Sequence, residues 1–241
     1  MQFKSILLFI SAALMLTSCM FTEEIYINND GSGNYALQID MSPMMESVKD
    51  MSVKDSLKDP QVLDTVVLFS TILEENKDSI SKLDADDKLI IEALKDMKLH
   101  MQVDEEKGKM LMDFNLDFTD ISELKNMQEK IAKAQALNEK KKEDKGMPST
   151  ADVDYLFDGK TFERKVTLKD LSDDELEKMG QASSFMEGGI YKIIYHFESK
   201  IKNVSFKDAQ ISSDKKTMSI EVSMDSLIKN PKLLDFKVNL K

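Results

Sequence analysis

Leu99, Met101 and Val103 alternate with polar residues on one side of Glu105-Glu106-Lys107-Gly108, and Met110, Met112, Phe114, Leu116 and Phe118 alternate on the other. A period of two puts one set of side chains on a single sheet face. Repeated on both sides of a glycine-containing turn, it commits the segment to an antiparallel hairpin with one buried face. The pattern recurs along the chain. Residues 24–28 and 35–41 flank Asn29-Asp30-Gly31-Ser32-Gly33, and Tyr35, Leu37 and Ile39 alternate with Ala36, Gln38 and Asp40. A third pair, 153–157 and 161–168, is joined across Asp158-Gly159. Further strands are expected over 190–197, over 204–211 (straight or bent), over 218–224 after Ser213-Asp214-Lys215-Lys216, and over 236–240.

Helical patterns lie between these units. Pro60 after Asp59 suits a first helical turn, and Val62, Leu63, Val66, Val67, Phe69 and Ile72 or Leu73 form a broad apolar stripe. Asp120 with Glu123 has the spacing of a capping box, continued by Ile121, Leu124, Met127, Ile131 and Ala134. Ser172 with Glu175 repeats that spacing ahead of Leu176, Met179 and Ala182, and Gly188-Gly189 ends the segment. A shorter helix is expected over 43–53. Hairpins alternating with amphipathic helices give an α+β class, antiparallel sheet packed on helices, with a ferredoxin-like elaboration as the expected topology. The charged stretch 139–149 reads as a mobile loop inside one domain covering 19–241.

The amino terminus sets the address. Lys4 precedes an apolar run over 6–16 broken only by Ser11, and Thr17-Ser18 lead into Cys19. The run is short of the about 20 residues that span a bilayer, and its flanks are those of a signal peptide covering 1–18. Leu16-Thr17-Ser18-Cys19 resembles the lipobox of bacterial lipoproteins, in which the peptide is cut before the cysteine and the thiol is acylated. Two or three acyl chains anchor durably where one does not. Cys19 is the chain's only cysteine, so the mature protein folds without disulfides. Removing 1–18 takes away Lys4 alone among charged side chains and moves the net charge from -11 to about -12. That balance argues against nucleic acid, whose binding needs basic patches, and leaves the lipid on Cys19 as the expected membrane contact. Met20 follows the cysteine in place of an aspartate, which favours the outer membrane, and Glu23-Glu24 has the place of the acidic residues that lead some lipoproteins of Bacteroidota to the cell surface.

The lipobox, the strand after it, and Asn29-Asp30-Gly31-Ser32-Gly33-Asn34-Tyr35 leading into a second strand resemble the opening of the mycobacterial LppM-type lipoproteins and of related lipoproteins of Bacteroidota. The latter group tends to end, as here, with a long β-region over 197–224 and a short final strand. The resemblance implies a β-rich α+β domain on a membrane anchor, a role at the envelope and in host contact, and no catalytic residues. Many LppM-type proteins carry a C-terminal transmembrane helix, whereas 236–241 is short and charged.

Tests for chemistry return little. His100 and His196 are the only histidines, each inside a strand pattern, and structural zinc needs three or four nitrogen or sulfur ligands; both are expected to be half-exposed strand residues. Asp84-Ala85-Asp86-Asp87 and Asn28-Asn29-Asp30-Gly31-Ser32-Gly33 offer oxygens without the spacing of a twelve-residue calcium loop, and read as a helix start and a hairpin turn. There is no Gly-x-Ser-x-Gly elbow. Ser79-Ile80-Ser81-Lys82 has a serine–lysine spacing without its companion motifs, and with 44 acidic residues the sequence selects no carboxylate pair. Asn203-Val204-Ser205 and several Asp-Ser and Asp-Thr dipeptides match short glycosylation patterns. No cofactor, metal or catalytic residue is expected.

Methionine is the unusual component, 17 residues in 241. Met44, Met45, Val48 and Met51 follow the first hairpin, and methionine suits adaptable apolar surfaces; they are the candidate surface for an apolar ligand or partner, against the alternative that they fill the core. The leading expectation is a lipid-anchored envelope protein with a non-enzymatic binding or scaffolding role. A carrier or chaperone for lipid or another apolar envelope component comes second, favoured by a deep apolar cavity. A periplasmic hydrolase comes third, favoured by a polar cleft with convergent carboxylates.

Overall fold

The computed structural model describes residues 20–43, 45, 62–138, 149–186 and 188–241. Cys19, the signal segment, the 139–148 part of the charged stretch, and Met44, Val48 and Met51 of the methionine candidates lie outside those residues. Met45 is described: it is half-buried in a helical turn, its amide donating to the Met41 carbonyl at 3.4 Å.

The chain is α+β, as its patterning requires, and its strands form two sheets. The larger has eight strands in the order β10-β11-β8-β1-β2-β5-β4-β3. These are β1 (Met20–Ile27), β2 (Gly33–Asp40), β3 (Val62–Leu68), β4 (Lys98–Asp104), β5 (Lys109–Phe118), β8 (Ile190–Phe197), β10 (Gln210–Ile211) and β11 (Thr217–Ser223). The smaller has four, β6-β7-β12-β9, from β6 (Ala151–Phe157), β7 (Thr161–Leu168), β9 (Ile201–Val204) and β12 (Phe236–Leu240). All pairings are antiparallel except β1 with β8. The three hairpins form as the alternation predicts, and the eight-stranded order exceeds what one ferredoxin-like unit holds.

One face of the large sheet is apolar and the other polar. Ile25, Ile27, Tyr35, Leu37, Phe114, Leu116, Tyr195, Phe197, Met218 and Ile220 point inward and are buried. They meet Phe162, Phe236, Val238 and Ile201 of the small sheet, where Phe162 packs edge-on against Tyr195 and Phe197 at ring separations of 5.2 and 5.6 Å. The outward positions carry hydrogen-bonded pairs, including Gln38 to Asp113 at 2.8 Å and Asn34 to Asp117 at 2.8 Å. The first turn needs its glycines: Gly31 has φ +86°, and a Cβ on Gly33 would lie 1.8 Å from the Tyr26 carbonyl oxygen.

The helices among the described residues are α1 (Phe69–Glu75), α2 (Lys77–Ile80), α3 (Ala85–Glu92), α4 (Met127–Asn138), α5 (Asp173–Met186) and α6 (Met224–Lys229). Asp84 caps α3 by accepting from the Asp87 amide at 2.8 Å, so its acidic run is the helix start the sequence suggested. Ser172 and Glu175 form the expected reciprocal cap before α5.

Four expectations need correction. The apolar stripe starting at Val62 is not helical until Phe69; its first part is β3, because Val-Leu-Asp-Thr-Val-Val-Leu is rich in β-branched residues and finds a complete antiparallel partner in β4. The helix over Ile121 to Ala134 is broken. Its capping box forms, but it starts a 3-10 turn, Ile121–Leu124, and Asn126 then takes φ 51° before α4. Asn126 is held there by β6, its Nδ2 donating to Asp152 at 2.7 Å and its Oδ1 accepting from the Val153 amide at 2.7 Å. The strand over 204–211 is two short strands in different sheets, β9 and β10. Leu176, placed on the buried stripe of α5, is exposed.

Candidate functional site

Strand β1 starts at Met20, earlier than the pattern over 24–28 indicates, and so Glu23 lies within the central part of the large sheet. It shares the inward face with Phe21, Ile25 and Ile27 and is 0 % exposed. A carboxylate there requires hydrogen bonds and a counter-charge, and the surrounding strands supply both. Tyr191 and Tyr195 flank it from β8; the Tyr191 hydroxyl donates to Oε2 at 2.7 Å and the Tyr195 hydroxyl to Oε1. Tyr155, from β6 of the opposite sheet, donates to Oε1 at 3.0 Å, and Gln128 of α4 approaches Oε2 at 3.5 Å and also donates to the Tyr191 hydroxyl.

The counter-charge is Arg164 on β7, the only arginine in the chain and 5 % exposed. Its Nε is 3.9 Å from Glu23 Oε1, its Nη1 donates to the Leu234 carbonyl at 3.0 Å, and the guanidinium carbon is 5.8 Å from the Tyr155 ring centre. Among the described residues, Arg164 Nε and the hydroxyl of neighbouring Tyr35 are buried without a hydrogen-bond partner. Desolvation works against the guanidinium's charge, but the oxygens of Tyr155, Glu23, Tyr195 and Tyr191 outweigh it and hold the proton firmly. Burial first, and the Glu23 charge second, push Tyr35, Tyr155, Tyr191 and Tyr195 above the ordinary tyrosine range. Arginine suits such a site because it stays charged where a buried lysine readily loses its proton.

This cluster adjoins a pocket of about 220 Å³. Ala151 and Val153 of β6, Arg164 and Val166 of β7, Met179 and Met186 of α5, and Met224, Leu227 and Ile228 of α6 line it, with Gln128, Glu129, Ser149 and Thr150 supplying polar atoms. Ala151, Arg164, Val166 and Met224 are its most buried members. Methionines therefore do line a cavity, but they are Met179, Met186 and Met224. Met45, the one described candidate, is not among them. A wider, more open groove of about 840 Å³ runs among α1, α2 and α3, lined by Leu73, Ile80, Leu89 and Ile91 with lysines at its rim.

The histidines lie on the opposite, polar face of the large sheet, partly exposed as strand residues. His196 Nε2 is 2.7 Å from Glu24, its Nδ1 is 3.0 Å from the Thr217 hydroxyl, and its ring stacks 4.0 Å from Tyr26. His100 Nε2 is 2.7 Å from Asp64, and its Nδ1 is 3.7 Å from Asp113. In both cases the two ring nitrogens face different neighbours along the sheet. Among the described residues no group of three or more His, Cys, Asp or Glu side chains converges to hold a metal ion. Glu23 and Glu24, adjacent in sequence, are divided by the strand period: Glu23 enters the core and Glu24 joins His196, so the pair does not form one acidic surface patch.

No protein-family model matches the chain, and no curated protein matches it. Among solved structures it is similar to the folded domain of LppM from Mycobacterium tuberculosis, at 7 % identity and a TM-score of 0.35, over 95 % of this chain and 94 % of that one. A likeness of that size fixes neither family nor activity. Among the described residues no helix is long and apolar enough to cross a membrane.

Proposed function

We propose that this chain is a lipid-anchored envelope protein with a non-enzymatic binding role, and that its ligand is an apolar molecule held in the pocket beside Arg164. The observation that carries the reading is the pocket's composition and place. Three methionines and five further apolar side chains from two helices and two strands surround it, the flexible lining that suits irregular apolar ligands. It also lies toward the end of the sheet where β1 begins. Met20 pairs with Ile190, and the neighbouring Gly189 carbonyl accepts from the amide of Met224, a pocket residue, at 2.8 Å. With Cys19 acylated, this end faces the bilayer, and a lipid component reaches the pocket over a short path.

The charged groups nearby are spent on structure. Glu23 is enclosed by hydroxyls, and Glu129 is paired with Lys169 at 2.6 Å, which favours binding over hydrolysis. The outer membrane is the proposed location, on the strength of Met20 after the cysteine.

Two results test the reading. Cys19→Ser is expected to release the protein from the membrane fraction on cell lysis; a variant that stays membrane-bound removes the lipid anchor from the account. Met186→Trp is expected to fill the pocket with little change in thermal unfolding. Lipoprotein purified from membranes should then carry an extractable apolar molecule at about one per chain, lost in the tryptophan variant. Lipid-free wild-type protein would instead favour the scaffolding role.

A further inference from the structure

Resting on that pocket reading, we infer that the ligand's buried part is electrically neutral: a segment of one acyl chain with the ester linkage of a monoacylglycerol, and no carboxylate or phosphate. The basis is the pairing of the charged side chains that line the cavity among the described residues. Among the described residues Arg164 is the one cation of the lining, and it faces the fully buried Glu23 at 3.9 Å while its Nη1 is tied to the Leu234 carbonyl. Among the described residues Glu129 is the one anion of the lining, and it meets Lys169 at 2.6 Å.

A ligand anion entering here gains no unopposed positive charge. It also brings a second negative charge toward Glu23 in a region of low polarity, where charge is costly without a dedicated partner. A ligand cation meets the same balance with the sign reversed. Neutral oxygens fare differently. Gln128 is engaged with Glu23 and Tyr191, but Ser149 and Thr150 line the cavity with hydroxyl groups, whose oxygens offer neutral hydrogen-bonding sites outside the Glu23–Arg164 pair.

Size narrows the ligand further. The pocket's about 220 Å³ exceeds the roughly 150 Å³ of an apolar cavity that admits benzene. That is room for a segment of one chain and its linkage, and too little for two chains and a phospholipid headgroup. Val153, Val166, Met179, Met186, Leu227 and Ile228 form the apolar walls for that segment.

The test uses the full-length lipoprotein in its own membranes and two photoreactive probes. A diazirine-bearing oleoyl chain is presented as a monoacylglycerol or as lysophosphatidylglycerol, which is anionic at all working pH values, with labelling normalised to membrane-incorporated probe. The neutral probe is expected to mark peptides from α5 and α6 at least tenfold more strongly than the anionic one, and Met186→Trp to abolish the marking. Equal or stronger marking by the anionic probe overturns neutrality and leaves an apolar-ligand pocket standing. Marking by neither probe overturns both.

Discussion

Arg164→Met is expected to cost about 3–5 kcal/mol of folding stability, the range found when one partner of a buried ion pair is removed. Glu23 would remain with three tyrosine hydroxyls and no positive charge, buried at 0 % exposure. The loss is expected from charge more than from volume, since methionine fills most of the arginine's space. Arg164→Lys therefore should recover little, because a buried ammonium sheds its proton more readily than a guanidinium. The decisive comparison is the double variant Glu23→Gln with Arg164→Met. Removing both charges leaves a neutral amide among hydroxyls, and at least half of the single-variant loss should return. Urea unfolding of the four proteins gives the coupling directly. A double variant as unstable as the sum of the two singles would show that Glu23 and Arg164 act independently, and the 3.9 Å approach would then have no energetic meaning.

The residues of this cluster were legible in the sequence, though their meeting was not. In Phe21-Thr22-Glu23-Glu24-Ile25-Tyr26-Ile27, the period of two places Glu23 with Phe21, Ile25 and Ile27, so an acid on the apolar parity was visible once the strand was started at Met20. In Phe162-Glu163-Arg164-Lys165-Val166, the single arginine falls between Phe162 and Val166 on the same parity, among many lysines elsewhere. What joins them is non-local. Glu23 meets Tyr191 and Tyr195 through the parallel pairing of β1 with β8, and no local pattern encodes a partner some 170 residues away. The pocket escaped for the same reason: α5, α6, β6 and β7 each contribute a few ordinary apolar residues. The hairpins are legible because turn and alternation are both local. From Val62 to Leu68 the apolar positions satisfy a helical stripe and a strand equally, and pairing with β4 decides between them.

Alkaline pH should unfold this protein abruptly. Tyr35, Tyr155, Tyr191 and Tyr195 are four of the chain's five tyrosines, and burial together with the Glu23 charge raises all four in the folded state. A group whose folded value is raised contributes stability that is complete below its unfolded value, about pH 10 for tyrosine, and that drains away as pH climbs above it. In that window the unfolded chain releases protons that the folded chain keeps. Each tyrosine then lowers stability by about 1.4 kcal/mol per pH unit. Acting together, four exhaust a typical margin of about 5–15 kcal/mol within a few pH units. Tyrosinate absorbance and far-ultraviolet circular dichroism, followed over the same titration, test this. Tyr26, largely exposed on the polar face and shifted upward by its hydrogen bond to Glu24, should titrate gradually while the fold persists. The other four should appear in one step coincident with loss of β-structure. Tyr191→Phe removes one donor to Glu23 and one titrating group, and should lower stability at neutral pH while making the alkaline transition less steep. Four tyrosines ionising one by one near their ordinary value, with the circular dichroism unchanged, would mean that water reaches the carboxylate and that the cluster is not the closed neutral shell on which the pocket's charge balance depends.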